Sequence, residues 1–146
     1  MLRRLKPIFE SLQRNEVRYV VLGGIAVALH GVPRATFDVD LLIEASIENA
    51  RRLLAALGDA GFGTAALVKP EEVAATEITR FKDRIPIDVI TRAPGLIFSE
   101  AWEHRQVMTF EGQDFYVVSR EDLVRSKRAA GRPRDLEDLR ALGAGD

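Results

Sequence analysis

The sequence predicts an α+β fold in which helices flank a mixed β-sheet. Apolar, β-branched runs typical of strands occur at 17–22, 36–44 and 84–90, and helical periodicities lie before, between and after them. The order of elements is βα, β, α, then several strands and finally helices, which favours α/β or α+β architecture with a mixed sheet. We expect one domain over 1–146, with a core at about 17–118 and C-terminal helices at 119–142.

The first half of the chain begins with an amphipathic helix. Leu5, Ile8, Phe9 and Leu12 recur at helical spacing and predict a helix over 2–14. A buried strand at 17–22 ends at a Gly-Gly pair, after which a short helix over 25–30 and a second strand over 36–44 are expected. Ser46 is the predicted N-cap of a further helix over 47–58.

The second half is richer in strands. Its pattern predicts a weak strand at 62–68, a short segment from Pro70, a strand pair at 76–82 and 84–90, and a helix at 95–103. A hairpin at 105–110 and 114–118 follows. The chain is expected to end in helices over 119–130 and 134–142, separated by Gly131-Arg132-Pro133.

The composition excludes several classes of function. The 21 basic and 22 acidic residues give a net charge of −1, so overall charge does not indicate a nucleic-acid-binding protein. Without cysteine the sequence predicts neither disulfides nor thiolate zinc sites. No apolar stretch is long enough for a signal peptide or a membrane span, and we expect a cytoplasmic protein without a membrane partner.

Three aspartates on two predicted strands indicate a metal site. Side chains alternate along a strand, so Asp38 and Asp40 project from one face with their Cα atoms about 6–7 Å apart. Asp88 has the corresponding place on the later strand. Three carboxylates in this arrangement suit Mg²⁺ (or Mn²⁺) and could hold the two ions of a phosphoryl-transfer site. The simpler alternative is that Asp38 and Asp40 form the solvated face of a half-buried strand.

A glycine pair precedes the first two aspartates. Gly23 and Gly24 follow a strand and open a helix, where backbone amides can bind phosphate and missing side chains allow close approach. The alternative is an ordinary tight turn. The short connection from this pair to the aspartate strand favours one cleft containing both a phosphate seat and a cation site.

The segment LGGIAVALHGVPRATFDVDLLIE resembles the signature of the nucleotidyltransferase superfamily, which has the DNA polymerase β-like fold. Thirteen residues separate Gly24 from Asp38, and IPIDVI resembles the strand that holds the third acid of this superfamily. Arg34, Thr36 and the C-terminal run VSREDLVRSKRAAGRPRDLEDLRAL look like the branch containing toxins of type IV toxin–antitoxin systems. Gly24 replaces the serine that often follows the first glycine in this signature.

The resemblance implies a minimal nucleotidyltransferase fold and an Mg²⁺-dependent enzyme that moves an NMP group from an NTP to a hydroxyl acceptor. The acceptor would be RNA such as tRNA, a protein or a small molecule, and a cognate toxin or antitoxin partner is expected. Asp38, Asp40 and Asp88 would be catalytic and bind metal. The expected nucleotide-binding residues are Gly23, Gly24, Arg34, Thr36, Lys127 and Arg132.

Two alternatives remain at this point. The basic cluster of Arg125, Lys127, Arg128, Arg132 and Arg134 could bind phosphate or simply lie on two solvated helices. The whole chain could also be a catalytically weak or inactive module of the same fold that binds a nucleotide or a partner.

Overall fold

The computed structural model describes residues 1–35 and 38–145 of the chain. This part contains seven α-helices, six β-strands and a short 3-10 helix at Gly63–Leu67. The helices are α1 Leu2–Arg14, α2 Gly23–Leu29, α3 Ile47–Asp59, α4 Pro70–Ala75, α5 Phe98–Glu103, α6 Arg120–Ala130 and α7 Pro133–Ala141. The strands are β1 Tyr19–Leu22, β2 Val39–Ile43, β3 Ile78–Phe81, β4 Ile87–Ile90, β5 Gln106–Phe110 and β6 Gln113–Val117.

The six strands form one mixed sheet in the order β3-β4-β2-β1-β6-β5. Strand β1 is antiparallel to β2 and parallel to β6, and β2 is parallel to β4. The β3–β4 and β5–β6 pairs are antiparallel hairpins at the two edges. The predicted α+β class with a mixed sheet and flanking helices is therefore confirmed. Within the described ranges, no helix has the length and apolar character needed to cross a membrane.

Helix α1 packs on one face of the sheet, and the aspartates lie on the other. The Phe9 ring of α1 stacks on Phe115 of β6 with centroids 4.2 Å apart. The register of β6, β1 and β2 places a continuous set of buried side chains on that face, comprising Phe115, Val117, Val21 and Leu41. Asp40 precedes Leu41 and points to the opposite face, because successive side chains alternate along a strand.

Most predicted elements are confirmed, with shifts of one to three residues at their ends. Ser46 caps α3 by accepting a hydrogen bond from the backbone N–H of Asn49. The predicted strand at 62–68 is wrong, because this segment forms the 3-10 helix. Phe62 and Ala65 are both buried, and their spacing of three residues matches one turn of such a helix. Residues 36 and 37 of the predicted second strand lie outside the described residues.

The predicted break between the last two helices is also confirmed. Gly131 ends α6 in the left-handed conformation, with φ of 62°. Pro133 then begins α7, where its missing N–H costs no intrahelical hydrogen bond. The resulting sharp turn packs α7 against α6 and directs residues 127–134 towards the aspartate face of the sheet.

Candidate active site

A row of directly paired residues crosses four strands at the centre of the candidate site. Asp40 of β2 is the register partner of Asp88 of β4. Asp88 is in turn paired with Arg80 of β3, and Asp40 with Leu22 of β1. Directly opposite residues point to the same face, and adjacent strands are about 4.8 Å apart. The sheet therefore places Arg80, Asp88 and Asp40 side by side, in that order, on the face opposite α1.

Gly23 follows Leu22 at the start of α2 and makes room for Asp40. Its φ of +67° is favourable only for glycine, and a Cβ atom added there would lie 2.0 Å from Oδ2 of Asp40. The first glycine of the Gly-Gly pair is therefore required by two independent constraints, the left-handed backbone and the close approach of a carboxylate.

We expect Gly23→Ala to displace Asp40, because the added methyl group occupies the place of its carboxylate. Gly112→Ala is the matched control, since Gly112 also has a positive φ (+80°) but has open space around its missing Cβ. The control should lose about 1–2 kcal/mol of unfolding free energy from backbone strain, and Gly23→Ala should lose more. Equal losses of the two variants in urea denaturation would contradict the clash with Asp40.

The environment of Asp40 strongly disfavours its negative charge. Burial and the neighbouring carboxylates of Asp88 and Asp38 raise the pKa of Asp40 from 3.8 to about 6, and Lys127 and Arg134 oppose this increase. Asp38 is itself exposed and immediately precedes β2. Asp40 is thus the acid whose negative charge the other two carboxylates disfavour, and the three-acid metal site stays a prediction.

An open cavity of about 450 Å³ lies over the aspartate pair. Its floor includes Leu22, Gly23, Asp40 and Asp88. Two further groups of residues line its sides. We call them the β3–β4 wall (Glu77, Arg80 and Arg92) and the α6–α7 wall (Leu123, Ser126, Lys127, Ala130, Arg132, Arg134 and Asp135). The volume falls within the range that small-molecule sites occupy.

Two buried carboxylates hold Lys127 in the α6–α7 wall. Its Nζ lies 3.3 Å from Oδ1 of Asp135 and 2.9 Å from Oδ2 of Asp138. Only 12% of the Lys127 side chain is exposed, whereas Asp135 is fully buried. This arrangement fixes the ammonium group at the cavity, where it can attract an anion, and the sequence prediction of Lys127 as a phosphate-binding residue remains consistent with its position.

Asp135 also holds Arg132, the second predicted phosphate-binding residue. The Arg132 Nε lies 2.7 Å from Oδ2 of Asp135, and the backbone N–H of Arg132 donates to the same oxygen at 3.1 Å. Asp135 thereby caps the start of α7 while orienting a guanidinium that lines the cavity. Arg134 lines the same wall, and its charge lowers the pKa of Asp40.

Arg34, which was predicted to bind nucleotide, does not line the larger cavity. It forms an ion pair with Asp138 of α7 and lines a smaller cavity of about 170 Å³ beside Met1 and Ile85. Gly24 is in the first turn of α2 and is absent from the residues that line the larger cavity. Thr36, also predicted to bind nucleotide, lies outside the described residues.

The donor set at this site fits a divalent cation in its chemistry. Carboxylate oxygens are the protein ligands that Mg²⁺ prefers. Burial first, and then the carboxylates of Asp88 and Asp38, raise the pKa of Asp40, and a cation bound there would oppose both effects. Across 1–35 and 38–145, however, no three carboxylates or imidazoles are close enough together to hold an ion as they stand. Oδ1 of Asp88 instead lies 3.3 Å from Nε of Arg80. To bind a metal ion, Asp88 would have to give up its ion pair with Arg80.

The sequence did not indicate Arg80 or Arg92 as site residues, and it indicated Arg134 only as a member of the basic cluster. Arg80 could have been found from the β3–β4 hairpin, since it faces Asp88 once the register is known. In the basic cluster only some members reach the cavity, because Arg125 pairs with Asp122 and Arg128 donates to the backbone of Ala144.

Comparison with known proteins identifies the family of the chain and a similar fold. Residues 2–143 match the protein family described as "Nucleotidyltransferase of unknown function (DUF6036)". The fold is similar to the solved structure of a protein from Thermotoga maritima described as a putative nucleotidyltransferase, with a TM-score of 0.64, 20% sequence identity, and coverage of 95% of this chain and 89% of that chain. No curated protein matches the sequence significantly.

Proposed function

Because the chain belongs to the DUF6036 family of nucleotidyltransferases of unknown function, we propose that it is a metal-dependent enzyme that transfers an NMP group from an NTP to a hydroxyl acceptor. The single observation that supports this most strongly is the register pairing of Asp40 with Asp88 beside Gly23, under a cavity lined by Lys127 and Arg132. Carboxylates for cations and ammonium or guanidinium groups for phosphates are the two requirements of this chemistry.

The reaction is an in-line displacement at phosphorus. The acceptor hydroxyl oxygen forms a bond to the α-phosphorus, the bond from that phosphorus to the α,β-bridging oxygen breaks, and pyrophosphate leaves with the bonding electrons. Asp38, Asp40 and Asp88 would hold Mg²⁺ or Mn²⁺, and a bound ion would supply positive charge that activates the attacking hydroxyl and stabilises the leaving pyrophosphate. Asp88 accepts the hydroxyl proton. Lys127 and Arg132 bind the β- and γ-phosphates, and Gly23 leaves the space that the Asp40 carboxylate occupies.

Arg34 has a supporting role in this proposal. Its ion pair with Asp138 joins the segment before Asp38 to α7, and Asp138 also contacts Lys127. Arg34 therefore positions Asp138 and, through it, Lys127, in place of the γ-phosphate contact expected from the sequence.

The test separates binding from transfer. Thermal shift with each of the four NTPs, with Mg²⁺, Mn²⁺ or EDTA, should show stabilisation only when both nucleotide and metal are present. Label on the α-phosphate should then appear on an acceptor in bulk RNA, lysate protein or small hydroxyl compounds, whereas γ-label should appear in pyrophosphate. Nucleotide binding in EDTA equal to that in Mg²⁺, or γ-label on the acceptor, would contradict the proposed reaction.

The second candidate is a nucleotide-binding module with little or no turnover. The ion pair between Asp88 and Arg80 favours it, because this contact occupies a carboxylate that transfer requires. Metal-dependent NTP binding without transfer of α-label to any acceptor class would establish this alternative.

A toxin role rests on the resemblance of the C-terminal segment and of Arg34 and Thr36 to the type IV toxin–antitoxin branch. Under this proposal a cognate antitoxin binds the chain or reverses its effect. Induced expression of the wild type should then arrest growth of the host, and Asp40→Asn should not. Unaffected growth with active wild-type enzyme would contradict a toxin.

A further inference from the structure

The two walls of the cavity lie beside different members of the aspartate pair. The charges of Lys127 and Arg134 in the α6–α7 wall lower the pKa of Asp40, whereas Arg80 of the β3–β4 wall forms an ion pair with Asp88. In the row of register partners, Leu22 lies at one end, the two acids lie in the middle, and Arg80 lies at the other end. The α6–α7 wall is therefore associated with Asp40, and Arg80 with Asp88.

This layout separates the donor from the acceptor. In an in-line displacement the leaving and attacking oxygens lie on opposite sides of the α-phosphorus. The proposed function places the pyrophosphate group by Lys127 and Arg132, so the acceptor approaches from the side of Asp88 and β3. Strand β3 is an edge strand, and 40% of Ile78 is exposed, which leaves this side open to a second substrate.

The β3–β4 side of the cavity has two cations. Arg80 and Arg92 line it together with the carboxylates of Glu77 and of Asp88, the ion-pair partner of Arg80. The Arg80 side chain is 61% exposed, and its only ion-pair partner among the described residues is Asp88. The Arg80 guanidinium lines the cavity and is exposed beyond its contact with Asp88, so it can also bind an anion that enters the cavity.

We propose that Arg80 forms an acceptor subsite, in which its guanidinium binds a phosphate group that the acceptor contains close to its attacking hydroxyl. The acceptor class is thus a phosphorylated hydroxyl compound, either a nucleic-acid strand or a small phosphate ester, and neutral or cationic acceptors are disfavoured. Arginine suits this task because its planar fork binds phosphate oxygens through two parallel hydrogen bonds. This inference rests on the proposed function, which assigns the NTP to the side of the cavity with Lys127 and Arg132.

The test uses binding as well as turnover. The probes are a short oligoribonucleotide that lacks its terminal hydroxyls, the same oligonucleotide with uncharged methylphosphonate linkages, and glycerol 3-phosphate. Each is titrated into the full chain with a non-hydrolysable NTP and Mg²⁺. Arg80→Gln should weaken binding of the phosphodiester oligonucleotide or of glycerol 3-phosphate about tenfold to a hundredfold. Arg80→Lys should restore part of this loss, and the methylphosphonate probe should bind weakly to all variants.

Arg51→Gln is the matched control. Arg51 lies on α3, is 59% exposed and pairs with one carboxylate, as Arg80 does. In the transfer reaction, Arg80→Gln should raise KM for the phosphorylated acceptor while leaving KM for the NTP within twofold of the wild type.

Three results would overturn the proposal. The first is that neither charged probe binds the NTP-loaded wild type. The second is that Arg80→Gln weakens binding of the charged and the methylphosphonate probes equally, which would show that Arg80 acts only through Asp88. The third is a rise in KM for the NTP alone, which would place Arg80 on the donor side. Failure of the proposed function has a different signature, namely absence of metal-dependent NTP binding in the wild type.

Discussion

Asp40→Asn is expected to abolish nucleotidyl transfer and, at the same time, to stabilise the metal-free protein at neutral pH. Asparagine has the same shape but lacks the charge that holds a cation, so transfer should decrease at least a thousandfold, equivalent to about 4 kcal/mol of transition-state stabilisation. Stability should change in the opposite direction, because the negative charge of Asp40 is disfavoured by burial and by the carboxylates of Asp88 and Asp38.

The sign of the pH dependence follows from the raised pKa. The folded protein binds the proton of Asp40 more tightly than the unfolded chain does, so this residue stabilises the fold at low pH. Its contribution to the unfolding free energy should decrease as pH increases from about 4, and be lost above about 6. Because the side chain is only partly buried, we expect Asp40→Asn to gain about 1–2 kcal/mol at pH 8 and little at pH 4.

Urea denaturation in EDTA at several pH values measures this gain. Glu10→Gln, which neutralises an exposed carboxylate on α1, is the control and should change stability at pH 8 by less than about 0.5 kcal/mol. A marked loss of stability in metal-free Asp40→Asn would show that Asp40 is a structural residue.

Among the substitutions considered for this protein, Asp135→Ala is expected to cause the largest loss of unfolding free energy. Asp135 is fully buried and pairs with Lys127 and Arg132 while it caps α7. Removing it leaves the nearly buried ammonium of Lys127 with Asp138 as its remaining partner. Loss of one member of a buried ion pair costs about 3–5 kcal/mol, so the melting temperature should decrease by about 10 °C.

The pH dependence of this effect is opposite to that of Asp40. Burial disfavours the charge of Asp135, but hydrogen bonds from Arg132 and Lys127 outweigh it and lower its pKa. Its stabilisation is therefore present above about pH 4 and is lost as pH decreases through the lowered pKa. The difference between wild type and Asp135→Ala should shrink in acid. Glu137→Ala, on the exposed side of the same helix, is the control, and equal losses in the two variants would contradict the buried network.

Local patterns were sufficient to predict most of the fold. The periodicity of Leu5, Ile8, Phe9 and Leu12 predicted α1, and the β-branched run before Gly23 predicted β1. The segment 62–68 was misassigned because short apolar runs do not distinguish a strand from a helical turn, and the burial of Phe62 and Ala65 becomes visible only in three dimensions.

The candidate site could be predicted only where its residues lie on regular strands. The face of Asp40 and Asp88 follows from alternation along β2 and β4, but their direct pairing depends on a parallel register that no local pattern specifies. The partner of Arg34 could not be predicted, because Asp138 is 104 positions away in the sequence. Arg80 was missed for a related reason, since its position beside Asp88 depends on the register of the β3–β4 hairpin.

Calorimetric titration of a non-hydrolysable NTP into the wild type and Asp40→Asn, each with Mn²⁺ and with EDTA, addresses the site most directly. If Asp40 and Asp88 hold a cation that bridges to the triphosphate, the wild type will bind the nucleotide only with the metal, and the variant will lose that binding. Nucleotide affinity that is the same in both proteins, or the same with and without Mn²⁺, would contradict a metal-dependent nucleotidyltransferase site on this face of the sheet.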